Sequence, residues 1–290
     1  MYDFAIVFPS VLNGLTTGAV YALVALGLTL IYGVLHIINF AHGSLLMLAL
    51  YGVFFLHAGL GVDPYLALPI LVPAMFLVGY ALQRGIIGKA SHGKDENILL
   101  VTLGLSIIIE KLALFFWKSD TRTIDTPYTF EVIEIAGAFL PLPKAMAFVG
   151  ALVAATVLWL FMTRTDPGKA IRAVAKERQG ARLVGINVDH VFAMSFGIGI
   201  ACLGAAACLL LPTYYVSPQV GHGFVLIAFT IVVLGGMGSF FGALLGGFII
   251  GIIEALGGLY LGESLGQIGI FLIFILILLF RPTGLFGHQA

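Results

Sequence analysis

Two stretches of this chain contain no Asp, Glu, Lys or Arg: Phe4 to Val62 and Val191 to Ile253. Each exceeds the roughly 20 apolar residues that cross a bilayer core. Elsewhere, apolar runs of span length alternate with short polar ones. The pattern predicts helical crossings at about Phe8–Leu35, Tyr65–Gln83, Ile98–Trp117, Lys144–Met162, Val191–Leu211, Phe240–Gly258 and Leu265–Phe280.

Two segments do not fit whole crossings. Phe8–Leu35 makes a helix of about 42 Å, too long for a ~30 Å core. Asn39-Phe40-Ala41-His42-Gly43-Ser44 then interrupts the apolar pattern, and the run from Ser44 to Ala58 is short. Phe224–Leu234 is about 16 Å long, half a bilayer, before Gly235-Gly236-Met237-Gly238-Ser239 stops it. Polar interruptions beside short apolar pieces predict discontinuous helices lining a cavity, where freed backbone groups find water or protein. Ala41-His42-Gly43 and Gly221-His222-Gly223 each precede such a piece, hinting at an internal structural repeat. The expected fold is all-α: a polytopic transmembrane helical bundle with discontinuous or re-entrant helices.

Composition agrees, with 60% hydrophobic and 10% charged residues and a mean hydropathy of +1.10. Soluble domains sit near 45–50% and about 25%. Met1-Tyr2-Asp3 lacks a basic n-region, so the first apolar run is expected to stay in the protein. Cys202 and Cys208 lie on different faces of one predicted helix and suggest neither a disulfide nor a metal pair. Charge distribution sets the orientation. The loop Arg84–Asn97, with Arg84, Lys89 and Lys94, and a second basic stretch at 164–190 fall on one side. The acidic-leaning loop Lys118–Pro143 falls on the other. Basic loops face the cytoplasm, which predicts an outside N-terminus. If Phe224–Leu234 returns as a half-helix, the C-terminus is cytoplasmic.

The 164–190 stretch holds six of the fourteen Lys and Arg residues: Arg164, Lys169, Arg172, Lys176, Arg178 and Arg182. Asp166 can cap a helix, Pro167 suits its first position and Gly185 can end it. Ile171, Val174, Ala181 and Val184 fall near one face. Such a helix could lie at the lipid headgroups or dock in a partner's groove.

Three stretches and the chain's end carry a resemblance. One is Gly168-Lys169-Ala170-Ile171-Arg172-Ala173-Val174-Ala175 with Ala181-Arg182-Leu183-Val184-Gly185-Ile186-Asn187. Another runs from Asn13-Gly14-Leu15 through Tyr21-Ala22-Leu23 to Ile38-Asn39-Phe40-Ala41-His42-Gly43. The third is Val233-Leu234-Gly235-Gly236-Met237-Gly238-Ser239 with Gly242 and Gly246-Gly247, and the chain closes on Arg281-Pro282-Thr283-Gly284-Leu285-Phe286-Gly287. In order and spacing these resemble the ABC-importer permeases for branched-chain amino acids, the shorter of the two paired permeases, over nearly the whole length. The resemblance implies one permease domain spanning 1–290, with a cytoplasmic coupling loop at about 164–190. It implies ATPase coupling through Gly168, Ile171, Arg172, Ala173, Ala175, Ala181, Gly185 and Ile186. The general importer loop carries a Glu-Ala-Ala core; here Ala173-Val174-Ala175 stands in its place. Implied partners are cytoplasmic ABC ATPase subunits, a second permease in a heterodimer, an extracytoplasmic substrate-binding protein docking on the acidic face, and the lipid bilayer, with no nucleic acid. The implied location is the bacterial plasma (inner) membrane.

No G-x-x-x-x-G-K-[ST], HExxH or CxxC motif is present. The chain is therefore expected to be a transport subunit with no cofactor of its own, ATP being bound by the partner. Neutral polar residues near the breaks, Asn13, Asn39, His42, Ser44 and Thr230, are the pathway candidates. A lone histidine such as His42 or His222 can equally be a satisfied core imidazole. Glu110 and Glu254 read as structural pairs or headgroup positions. Gly235 and Gly236 form the expected hinge, and the i, i+4 series Gly238, Gly242 and Gly246 fits close packing within the chain or a moving seam. An ion- or proton-coupled transporter is the leading rival; it wants a mid-span ionisable group. A passive channel, a scaffold, and an importer permease for urea, amides or sugars are the others.

Overall fold

The computed structural model describes residues 4–90, 95–281 and 283–286. Met1, Tyr2, Asp3, Lys94, Pro282 and Gly287 lie outside the described residues. Among those described, seven helices are long and apolar enough to cross a membrane. α1 (Phe4–Leu35) stops where His36 takes a left-handed conformation, φ +59°. Residues 37–41 then climb back along α1, and α2 (His42–Leu60) starts part-way up it. The depth follows from one bond: His42 Nε2 donates to the Val24 carbonyl at 3.0 Å. Val24 lies eleven residues before Leu35, about 16 Å up the helix axis. The break expected at residues 39–44 is therefore a re-entrant turn whose new helix starts in mid-bundle.

α3 (Leu68–Leu82) runs on through a π-helical turn at Gln83–Ile87 into α4 (Gly88–Ala90). α5 (Asp95–Trp117) returns to the far face. There the loop carries an antiparallel hairpin absent from the sequence reading, β1 (Val132–Ile135) with β2 (Ala138–Pro141), Val132 paired with Pro141. Tyr128 clasps this loop by donating to Asp63 Oδ2 at 2.7 Å. Burial, and then that bond, hold the phenol's pKa above its usual value. α6 (Leu142–Arg164) leads into the basic stretch.

That stretch is two helices, not one: α7 (Asp166–Lys176) and α8 (Arg178–Leu183). Glu177, extended at φ −154° and ψ 105°, separates them and caps α8 through its own carboxylate. The cap of α7 is Thr165, whose hydroxyl accepts from the Gly168 amide at 3.1 Å; Asp166 is one residue too late. Gly185, at φ +86°, closes the segment as expected.

α9 (Val188–Leu210) crosses again, followed by the short 3-10 turn Leu211–Thr213. α10 (Val220–Gly235) begins four residues earlier than the apolar pattern suggested, because Val220-Gly221-His222-Gly223 joins the helix. α11 (Phe240–Leu261) and α12 (Glu263–Phe280) complete the bundle.

Glycines set the packing. α1 and α11 run antiparallel with Gly14 and Gly18 against Gly251, and Ala22 against Gly247; a methyl group on any of these glycines would meet the facing backbone or Ala22. α3 and α9 pack in the same way, Gly79 facing Gly197 and Ile200. α1 also contacts α10, as α9 contacts α2. Gly27 of α1 faces Gly199 of α9, and Gly43 of α2 faces Gly221 of α10, each reciprocally. Contacts that exchange in pairs describe two inverted halves of one bundle.

Candidate functional site at the meeting of two helix N-termini

The N-termini of α2 and α10 meet in the middle of the bundle. Gly43 and Gly221 approach so closely that a Cβ on either would strike the other's carbonyl. Around this contact the buried polar groups collect. Asn39 Oδ1 accepts from the Ala41 amide at 3.1 Å, which turns the chain into α2. His42 Nε2 donates to the Val24 carbonyl, which in the neutral ring fixes the tautomer and leaves Nδ1 an acceptor without a protein partner.

α5 supplies the opposite wall. Thr102, Ser106 and Glu110 recur at i, i+4 and i+8, which places them on one helix face. Each meets a different part of the junction. The Phe40 amide donates to Thr102 Oγ1 at 3.4 Å. Ser44 Oγ pairs with Ser106 Oγ at 2.7 Å. His222 Nε2 donates to Glu110 Oε2 at 2.9 Å, and Lys111 Nζ donates to the other carboxylate oxygen at 3.3 Å. Thr102, Ser44 and Ser106 are buried, so breaking their bonds would strand a group away from water, and they fix how α5 meets this turn.

A cavity of about 1040 Å³ opens from the face bearing α7 and α8 toward this junction. Arg84, Lys89, Lys176, Arg178 and Arg182 line it against Glu177 and Asp189, so its walls are cationic. Gln83 lines both this cavity and a small one of about 10 Å³ reaching Asn39 and Thr102. Asn39 Nδ2 and Gln83 Oε1, an unpartnered donor and an unpartnered acceptor, share that small cavity, whose size suits one water molecule.

The basic segment is fastened to the bundle by its own apolar face. Ile171, Val174 and Ala181 are buried with Val34 of α1 and with Val188 and Val191 of α9. Arg178 locks the segment by donating to the Leu35 carbonyl at 2.8 Å and stacking over Phe192. The outer side carries exposed Arg172, Ala173 and Lys176. Leu183 and Val184, 89% and 76% exposed, project at its tip.

A family model described as "Branched-chain amino acid transport system / permease component" matches residues 10–280. The chain belongs to that family. It is 34% identical to the high-affinity branched-chain amino acid transport system permease protein BraD of Pseudomonas aeruginosa, covering 95% of this chain and 94% of that one. The permease protein LivH of Escherichia coli K12 is also 34% identical over 95% and 94% of the two chains. A more distant match, at 29%, is the D-allose transport system permease protein AlsC of E. coli, over 67% of this chain and 59% of that one. Among solved structures, PsaBC from Streptococcus pneumoniae in complex with Fab shares the fold, with a TM-score of 0.50 and 14% identity over 94% and 92% of the chains. The protein is thus a multi-pass membrane permease, a predominantly helical transport subunit.

The structure distributes the sequence candidates of this permease unevenly. Asn39, His42 and Ser44 gather at the junction. Thr230, buried in α10, bonds its own helix at the Leu226 carbonyl. Asn13 lies away from both breaks, accepting from Lys144 Nζ at 2.6 Å in the neighbourhood of Glu254 and Tyr21. Of the coupling residues, Arg172, Ala173 and Gly185 are exposed and Ala175 and Ile186 half-buried, whereas Gly168, Ile171 and Ala181 face the bundle. Gly235 and Gly236 form a tight turn, and the chain's end straps it: Leu285 and Phe286 amides donate to the Leu234 and Gly235 carbonyls. Gly242 packs on Gly235, Gly246 on Ile231, and Gly238 on Gly33, all inside the subunit. Sequence reasoning missed Thr102, Ser106, Gln83 and Leu183, and grouped Val184 with the apolar face of Ile171, Val174 and Ala181. The i, i+4, i+8 spacing on α5 was the available signal for the first two.

Proposed function

We propose that this permease carries branched-chain or related apolar amino acids across the plasma membrane as the transmembrane part of an ATP-driven importer. Its family membership over residues 10–280 supports the cargo. The observation that carries the coupling is the basic segment itself, anchored on one side and bare on the other. A cytoplasmic ATPase takes hold of Leu183 and Val184 together with Arg172, Ala173 and Gly185. Ile171, Val174 and Ala181 then pass the movement to α1 and α9, because packed side chains transmit displacement with little give. The solute crosses near the junction of α2, α10 and α5, with Asn39, His42 and Ser44 close to its route. The Gly235–Gly236 turn bends as the halves reorient. A second permease completes the pore, and an extracytoplasmic binding protein delivers solute to the hairpin face.

Cells making Leu183→Glu/Val184→Glu in place of the native permease are expected to lose labelled-leucine uptake, and the ATPase is expected to drop out of the purified complex. The permease itself stays in the membrane, since neither side chain contributes to the core. Leucine uptake at the native rate with the ATPase still bound would overturn this docking surface.

A further inference from the structure

Most polar groups at the junction are shut in between helices, but two are not. The side chains of Lys111 and His222 are 66% and 63% exposed, while Glu110 between them is 10% exposed. Their depth is fixed by the span Asn97–Trp117, whose centre is Ile107. Glu110 and Lys111 lie about 5–6 Å from that centre along the axis, well within a ~30 Å hydrocarbon layer. An exposed ammonium at that level is strongly disfavoured against lipid tails. This surface therefore meets water or protein. Both Glu110 oxygens are already engaged, so the acid holds its partners in place and offers little to a ligand. One Lys111 hydrogen is spent on that bond; an ammonium has three. Gly223, beside His222, has open space where a side chain would stand. Leu112 and Leu226 are exposed apolar neighbours in the chain, each 50% accessible.

We propose that Lys111 and His222, positioned by Glu110, form a carboxylate-binding station on the solute route. It takes the α-carboxylate of a zwitterionic apolar amino acid while Leu112 and Leu226 face the apolar side chain. The station rests on the amino-acid reading above and adds the residues that recognise the solute inside the membrane.

The test uses the assembled importer in vesicles, with Gly223→Cys as a reporter that leaves the station intact; the native Cys202 and Cys208 are buried and provide the background. A charged thiol reagent is expected to label residue 223. Leucine at about ten times its half-protecting concentration should slow labelling about tenfold. 3-Methylbutylamine, which lacks the carboxylate, should not. Adding Lys111→Met should abolish protection while labelling persists, and Lys111→Arg should restore it. No labelling in the assembled importer, protection by the amine, or protection that survives Lys111→Met would each overturn the station. Failure of the unsubstituted importer to take up leucine would instead strike the cargo reading.

Discussion

At the residue scale, the junction depends on what two glycines lack. Gly43 and Gly221 let two helix N-termini meet backbone to backbone, and the facing carbonyls leave no room for a methyl. Gly43→Ala or Gly221→Ala is expected to destabilise the permease by about 1–3 kcal/mol, the usual range for overpacking a close contact. Thermal unfolding in detergent, followed by size exclusion, checks this. Gly223→Ala is the matched control, with open space around it and no expected loss. Glycine's role at residues 43 and 221 was not legible in the sequence. The residues gave only the likeness of the two His-Gly pairs, because the contact joins positions far apart in the chain.

At the scale of elements, the coupling segment shows how an amphipathic pattern is resolved. The sequence placed Ile171, Val174, Ala181 and Val184 near one face without saying what covers it. The fold covers Ile171, Val174 and Ala181 with α1 and α9 and leaves Val184 bare with Leu183, because the break at Glu177 turns α8 away from the line of α7. Ile171→Asp places a charge where the side chain is fully buried, and is expected to unseat α7. Limited proteolysis is then expected to cut between residues 164 and 187 faster than in the native protein. This separates anchoring from docking, since Leu183→Glu/Val184→Glu leaves that region cut at the native rate.

At the scale of the whole molecule, α1 ends, α10 ends and the chain's last described residues share the face that carries α7 and α8. Arg178 reaches the end of α1, Gly238 packs on Gly33, and Leu285 bonds Leu234. Given the cationic character of that face, the positive-inside rule predicts a cytoplasmic C-terminus. A reporter fused after residue 290 is expected to be active only when it functions in the cytoplasm, and one fused before residue 1 only outside it. The reverse result would invert the bundle.

Uninterrupted apolar runs by themselves determined the class, most of the spans and the place of the two breaks, because a bilayer admits only backbone that satisfies its own hydrogen bonds. The run after the first break read as short, yet α2, at 19 residues, is long enough to cross. The motifs of the basic segment and the glycine-rich turn pointed to the family. What only the tertiary structure decided was the company each residue keeps. It set Glu110 between Lys111 and His222, lined up Thr102 and Ser106 with the break, and turned three expected docking residues inward. Helical periodicity reports which residues share a face, but which neighbour meets that face is set by packing between segments remote in sequence.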